Sequence, residues 1–197
     1  MDHNMADKEI AISQNDKLLN QGESARRILL SDITGEPFDS AELHGRRYMI
    51  SFFRFASCPF CNLRVRELVT RHSELASDFT IVAIFDSPLE NLRKYAKDQN
   101  APFPILADEE NIYYKEYGIK HSWTGVLKGL IIRFPALLKA MLAYGYWPFQ
   151  IEGKIHTMPA DFLVDENSII QLAYYGKDEG DHLSFDIINS FSNKLDI

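Results

Sequence analysis

Both cysteines of the chain stand in one stretch, FRFASCPFCNLRVREL (residues 53–68), as Cys58 and Cys61 with Pro59 and Phe60 between them. If a helix begins after Cys58, Pro59 occupies its first position, where a missing N–H costs nothing and the fixed φ is already helical. Cys58 is then the N-cap. Its sulfur meets the unpaired N–H groups of Phe60 and Cys61 and the positive end of the helix dipole, which together favour a thiolate. Cys61 follows along the same side of the helix, close enough to close a disulfide, and turns toward the core, leaving Cys58 as the more exposed sulfur. Such a pair suits redox chemistry, one activated thiol with one partner. Two plain buried cysteines are the other reading. A structural zinc site needs about four ligands, and His72, His121 and His156 are scattered rather than spaced as ligands. Arg54, four residues before Cys58, carries a permanent charge suited to a thiolate or a peroxide oxygen; it reads equally as an exposed arginine at a strand end.

Elements must hold these residues in place. Tyr48–Phe53 is apolar on both faces, as a strand buried between helices must be. After the cysteines, Cys61, Val65, Leu68, His72 and Leu75 recur at helical steps, with Arg64, Arg66, Glu67 and Arg71 elsewhere. His72 on that apolar stripe reads as a hydrogen-bonded core histidine, and Asn62 and Arg64 merely flank the site. Buried-strand and helix signatures then alternate: strand 80–86, helix 89–98, strand 103–108, helix 109–117. The segment 161–176 reads as an antiparallel hairpin around an Asp-Glu-Asn-Ser turn, 184–195 as a closing helix, and 27–38 as a small hairpin. Pro159 stands where proline is tolerated, at the start of a strand. The pattern predicts an α/β sandwich with a mixed sheet.

With 197 residues and a formal charge of −7, the chain offers no general electrostatic footprint for nucleic acid. Residues 1–22 are polar and read as an N-terminal tail; their lack of a basic, then apolar, leader predicts a cytoplasmic protein. Residues 122–151 break the rhythm: they contain no acid and three bases, Lys128, Arg133 and Lys139. Pro135 predicts a helix over 134–146, with its Leu138 and Met141 face packed on protein. The insertion suits a lid, a homodimer contact or an anionic membrane surface, with packing over the domain favoured and membrane association not expected.

Taken together, the strand, CPFC at a helix start, the βα alternation and Met-Pro before a final hairpin resemble the thioredoxin-fold superfamily. The resemblance implies a thioredoxin-like three-layer α/β sandwich with a mixed central sheet, forming one domain over 23–197. An N-terminal β-hairpin extends it, and a helical insertion at about 122–157 precedes the proline loop. It also implies that Met158-Pro159 is cis and packs against the cysteines as a substrate-binding loop. More narrowly, residues 22–183 are similar to the peroxiredoxin-like branch of the AhpC/TSA (redoxin) family, through Arg54, Cys58, Pro59, Phe60, Cys61 and Asn62 and through PADFLVD and GKDEGDHL. That family implies a thiol-dependent enzyme that reduces peroxides or disulfides through a Cys58/Cys61 dithiol–disulfide cycle, with a thioredoxin or glutathione-type reductant, no cofactor and no metal. The usual peroxiredoxin pattern, Pro-x-x-x-Thr-x-x-Cys, laid on Cys61 meets Arg54 in place of proline and Cys58 in place of threonine. On that alignment Cys61 attacks, whereas helix-end physics selects Cys58. A general thiol–disulfide oxidoreductase, or a redox-sensing module that binds through the insertion, would use the same pair.

Overall fold

The computed structural model describes residues 18–149 and 151–195. Strands β1 (Leu29–Ser31) and β2 (Pro37–Asp39) form a separate antiparallel hairpin. Asp32 closes its turn by accepting from the backbone of Thr34, Gly35 and Glu36. Next come β3 (Tyr48–Phe52), α1 (Pro59–Arg71), β4 (Thr80–Phe85), α2 (Leu89–Ala96), β5 (Ile105–Ala107) and α3 (Ile112–Glu116). The insertion supplies α4 (Trp123–Ile132) and α5 (Phe134–Tyr144), before β6 (Ala160–Val164), β7 (Ile170–Tyr175) and α6 (Phe185–Ser192). The main sheet has the order β5-β4-β3-β6-β7, with β3, β4 and β5 parallel and β6 and β7 antiparallel to their neighbours.

Period-two alternation divides the core between the two faces of this sheet. Met49, Phe53, Ala83 and Phe85 meet α1, α2 and α6, while Ile50, Phe52, Val82, Ile84 and Phe162 meet Tyr113, Tyr114 and Tyr117 around α3. Burial on both faces explains why β3, β4 and β6 read as nearly unbroken apolar runs. Leu19, placed by sequence in the polar tail, is buried in the second cluster, and its N–H donates to the Tyr175 hydroxyl at 2.9 Å. Residues 1–17 of that tail lie outside the described residues.

Two local expectations are corrected. Among the described residues no peptide bond is cis, so Met158-Pro159 is trans. The chain there runs straight into β6, with Met158 N–H donating to Lys120 O and Pro159 O accepting from Gly176 N–H, each at 2.9 Å. Nothing in that run requires a turn, and trans is the lower isomer by roughly 0.5–1 kcal/mol. The helix foreseen at 134–146 is present as α5, with proline in its first turn and Gly145 as its left-handed cap. Its inward side, however, carries Ala136, Leu137 and Ala140, and Leu138 is exposed.

Candidate active site

The loop 53–58 leaves the end of β3 and delivers Cys58 to the N-terminus of α1. Cys58 is the N-cap, in extended backbone conformation, with Pro59 in the first turn, and its sulfur accepts from Cys61 N–H at 3.5 Å. Arg54 Nη1 donates to the same sulfur at 3.5 Å, while Arg54 N–H donates to Cys61 Sγ at 3.4 Å. The guanidinium is fixed by Nη2 donating to Ile155 O and lies over the Phe55 ring, 5.2 Å from its centroid. Asn62 locks the loop from below: its Nδ2 donates to Ala56 O at 2.8 Å and to Cys58 O at 2.9 Å, and Gln99 donates to its Oδ1 at 2.6 Å. The flanking asparagine of the sequence is thus a brace for the thiol loop.

Both thiols are free and both are 0% exposed. The expectation that Cys58 is the more accessible sulfur is therefore corrected: the loop 53–57 and Phe60 are buried around it. Arg54 is also buried, at 3% exposed, because its charge has an anion to meet. Burial opposes charge on Cys58, yet the Cys61 thiol, the Arg54 guanidinium and the N–H groups of Cys61 and Phe60 outweigh it and bring its pKa down to about 6. Burial opposes charge on Cys61 as well, but there the hydrogen bond to Cys58 and the Cys58 charge add to it and hold that thiol well above the ordinary value. The two sulfurs are therefore chemically unlike, an ionised Cys58 and a protonated Cys61.

Met158 and Pro159 do not join this cluster by hydrogen bonds. Met158 packs beneath Gly125, where a Cβ would lie 2.6 Å from its sulfur, and Pro159 packs against Gly176. His72 is partly buried and near Phe103, with ring centroids 6.0 Å apart, and its Nε2 lacks a hydrogen-bond partner. It is not the hydrogen-bonded core histidine expected. Arg64 is buried, with Nη2 donating to Leu183 O at 2.6 Å, so it ties α1 to the segment before α6.

Three acidic and imidazole groups that sequence spacing did not single out complete the surroundings. Asp161 on β6 faces Ser51 on β3 and accepts from its hydroxyl at 2.5 Å, from Leu183 N–H at 2.7 Å, and pairs with His182 Nδ1 at 3.1 Å. Burial opposes its charge, but His182, Arg64 and Ser51 hold its pKa below the usual carboxylate range. Glu179 is buried in the loop before α6, and its Oε2 makes no hydrogen bond. Burial pushes its pKa up to about 7; the Arg54 charge opposes the rise, and the charges of Cys58 and Asp178 add to it. The next residue, Gly180, would place a Cβ 3.5 Å from the Phe60 ring between the cysteines. The 177–183 loop thus brings a protonatable carboxylic acid to the edge of the thiol site. The only hint in the sequence was that loop's similarity to the redoxin family.

A parallel β3-β4-β5 unit joined to an antiparallel hairpin, with a dithiol capping the helix after β3, defines a thioredoxin-like thiol–disulfide scaffold. The model of the AhpC/TSA family matches residues 21–173, and the chain belongs to that family. It is a thiol-dependent oxidoreductase. A relative, Peroxiredoxin Bcp of Escherichia coli K12, is 24% identical over 147 residues, covering 73% of this chain and 87% of that protein. Among solved structures, Peroxidoxin BcpB from Mycobacterium tuberculosis superposes with a TM-score of 0.64 at 15% identity, over 91% of this chain and 99% of that one. Thiol peroxidase from Chromobacterium violaceum gives 0.62 at 13% identity, over 90% and 88%. The likeness to these structures establishes the fold.

Proposed function

We propose that the protein reduces small hydroperoxides through attack by the Cys58 thiolate. The sulfur attacks the peroxide O–O bond and becomes a sulfenic acid, while the other oxygen leaves as water or an alcohol after taking a proton. The Cys61 thiol then attacks that sulfenic acid, forming the Cys58–Cys61 disulfide and releasing water. An external dithiol of the thioredoxin type returns both sulfurs to the reduced state by thiol–disulfide exchange. Arg54 supports the reading in two ways: it lowers the pKa of Cys58, and it offers a cation to the oxygen on which charge develops.

The observation that carries this reading is the inequality of the two thiols, with Cys58 capped by α1, bonded to Arg54 and ionised in preference to Cys61. Complete burial of both sulfurs favours a small oxidant over a protein disulfide, which needs the site to open before it can reach Cys58. Exchange with the reductant needs the same opening, so the disulfide form is expected to loosen the loop 53–58. The pair works in a reducing compartment such as the cytoplasm, where its thiols are regenerated. Mass spectrometry after one equivalent of hydrogen peroxide tests the cycle. The expected product is one intramolecular disulfide per chain, reduced again by a thioredoxin with steady peroxide consumption. A pair that stays reduced after peroxide but attacks the disulfide of oxidised thioredoxin, ending as the Cys58–Cys61 disulfide with thioredoxin reduced, would favour a thiol–disulfide oxidoreductase instead.

A further inference from the structure

A helix laid on an α/β domain ordinarily turns its large apolar residues inward. Helix α4 does the reverse. Its buried positions are Gly125 and Gly129, which come so close to the domain that a Cβ would lie 2.6 Å from Met158 Sδ or 2.1 Å from Glu179 Oε2. With glycine on the inner side, Trp123, Leu127 and Ile131 follow at steps of four and stand outward, 65%, 63% and 69% exposed. In α5, Ala136 and Leu137 rest on the core and Ala140 is buried, which leaves Leu142 73% exposed. Beyond the cap, Phe149 is 79% exposed. Scattered apolar side chains are normal on a surface, but a contiguous face of this composition marks a binding surface.

Charge says what that surface binds. Residues 122–151 carry three bases and no acid in a chain whose formal charge is −7. Arg133 is committed to Asp178 at 2.5 Å, whereas Lys128 and Lys139 are exposed, Lys139 with its ammonium 5.9 Å from the Tyr144 ring. Both tryptophans of the chain, Trp123 and Trp147, lie in this segment, and amphipathic aromatic rings favour the headgroup level of a bilayer. Among the described residues no helix is long and apolar enough to cross a membrane. We propose that the α4–α5 face docks in the plane of an anionic lipid surface, with its apolar side chains among the headgroups and Lys128 and Lys139 on the lipid phosphates. A second copy of the chain fits less well, because this acid-free face turned on itself buries ammonium groups with no carboxylate opposite. The sequence favoured packing over the domain because helical spacing alone does not tell an inward stripe from an outward one; the two glycines decide it.

The tryptophans make the test direct. The full-length protein is titrated with vesicles of phosphatidylcholine alone and of phosphatidylcholine with phosphatidylglycerol, following tryptophan emission and flotation. The expected result is a blue shift and co-flotation with the anionic vesicles, weakened by added salt. The Lys128→Gln/Lys139→Gln variant is expected to partition about thirty-fold more weakly, and Leu142→Asp to lose binding, both with wild-type peroxide consumption in the absence of lipid. Failure of the wild type to bind anionic vesicles would overturn the proposal, as would undiminished binding by the double lysine variant. So would a blue shift that grows with protein concentration without lipid, accompanied by a sedimenting dimer that Leu142→Asp abolishes, since a second copy would then cover the face.

Discussion

Replacing Arg54 by glutamine removes the cation beside Cys58 while keeping a side chain of comparable reach. Nη1 stands 3.5 Å from the sulfur. At that separation two unit charges attract by about 1 kcal/mol at the dielectric constant of water and by about 5 kcal/mol at an effective value near 20. With ~1.4 kcal/mol per pKa unit, losing the cation raises the Cys58 pKa by about one to three units, from about 6 toward the value of a free thiol. A two-unit rise cuts the thiolate present at pH 7 by roughly tenfold. Each remaining thiolate becomes about six- to tenfold more nucleophilic toward a small disulfide, because nucleophilicity rises with basicity. A rate at one pH therefore barely moves, and the informative assay is a titration of thiolate ultraviolet absorbance. Arg54→Gln is expected to shift the first midpoint upward by at least one unit, and Arg54→Lys, which keeps the charge, by less. A midpoint for Arg54→Gln within a few tenths of the wild type, in a variant folded by circular dichroism, would refute the assignment of Arg54 as the thiolate's counter-ion.

Two further substitutions test the groups around the thiols. Glu179 has a folded pKa of about 7 against an ordinary 4.5, so its contribution to stability is complete below its unfolded pKa and is lost as pH rises through about 7. Glu179→Gln should therefore gain stability relative to wild type at pH 8 compared with pH 5, which melting curves at both pH values would show; a constant difference would argue against a buried acid. Asp161→Ala strands the Ser51 hydroxyl, His182 and Leu183 N–H and is expected to cost about 3–5 kcal/mol in urea unfolding. A loss under 1 kcal/mol would mean that water replaces the carboxylate.

What the sequence disclosed follows from the range of the interactions involved. Cys58 as N-cap, Pro59 in the first turn and the strand before them are local features, fixed by residues within a few positions of one another, and they were legible. So was the sheet, because β3 and β4 are buried on both faces and show it as unbroken apolar runs. The partners of Asp161 lay beyond reach: Ser51 stands 110 positions away in sequence, and only the β3–β6 register brings them together. Glu179 reaches the site through the loop before α6 and is covered by α4, a packing that no spacing in its own segment encodes. The burial of Arg54 depends likewise on Ile155, at 101 positions' remove. The proline loop failed for another reason, since the cis bond was implied by family likeness and the backbone around Met158 is satisfied in trans.

The central claim is that Cys58 attacks and Cys61 resolves, and trapping the first oxidised sulfur tests it most directly. Cys61→Ser and Cys58→Ser are each treated with one equivalent of hydrogen peroxide in the presence of a sulfenic-acid trap, and the adduct is located by peptide mass spectrometry. The expected result is an adduct on Cys58 in Cys61→Ser and none on Cys61 in Cys58→Ser. An adduct on Cys61 in Cys58→Ser, with Cys61→Ser inert to peroxide, would contradict it and place the attacking sulfur one helical turn further along α1.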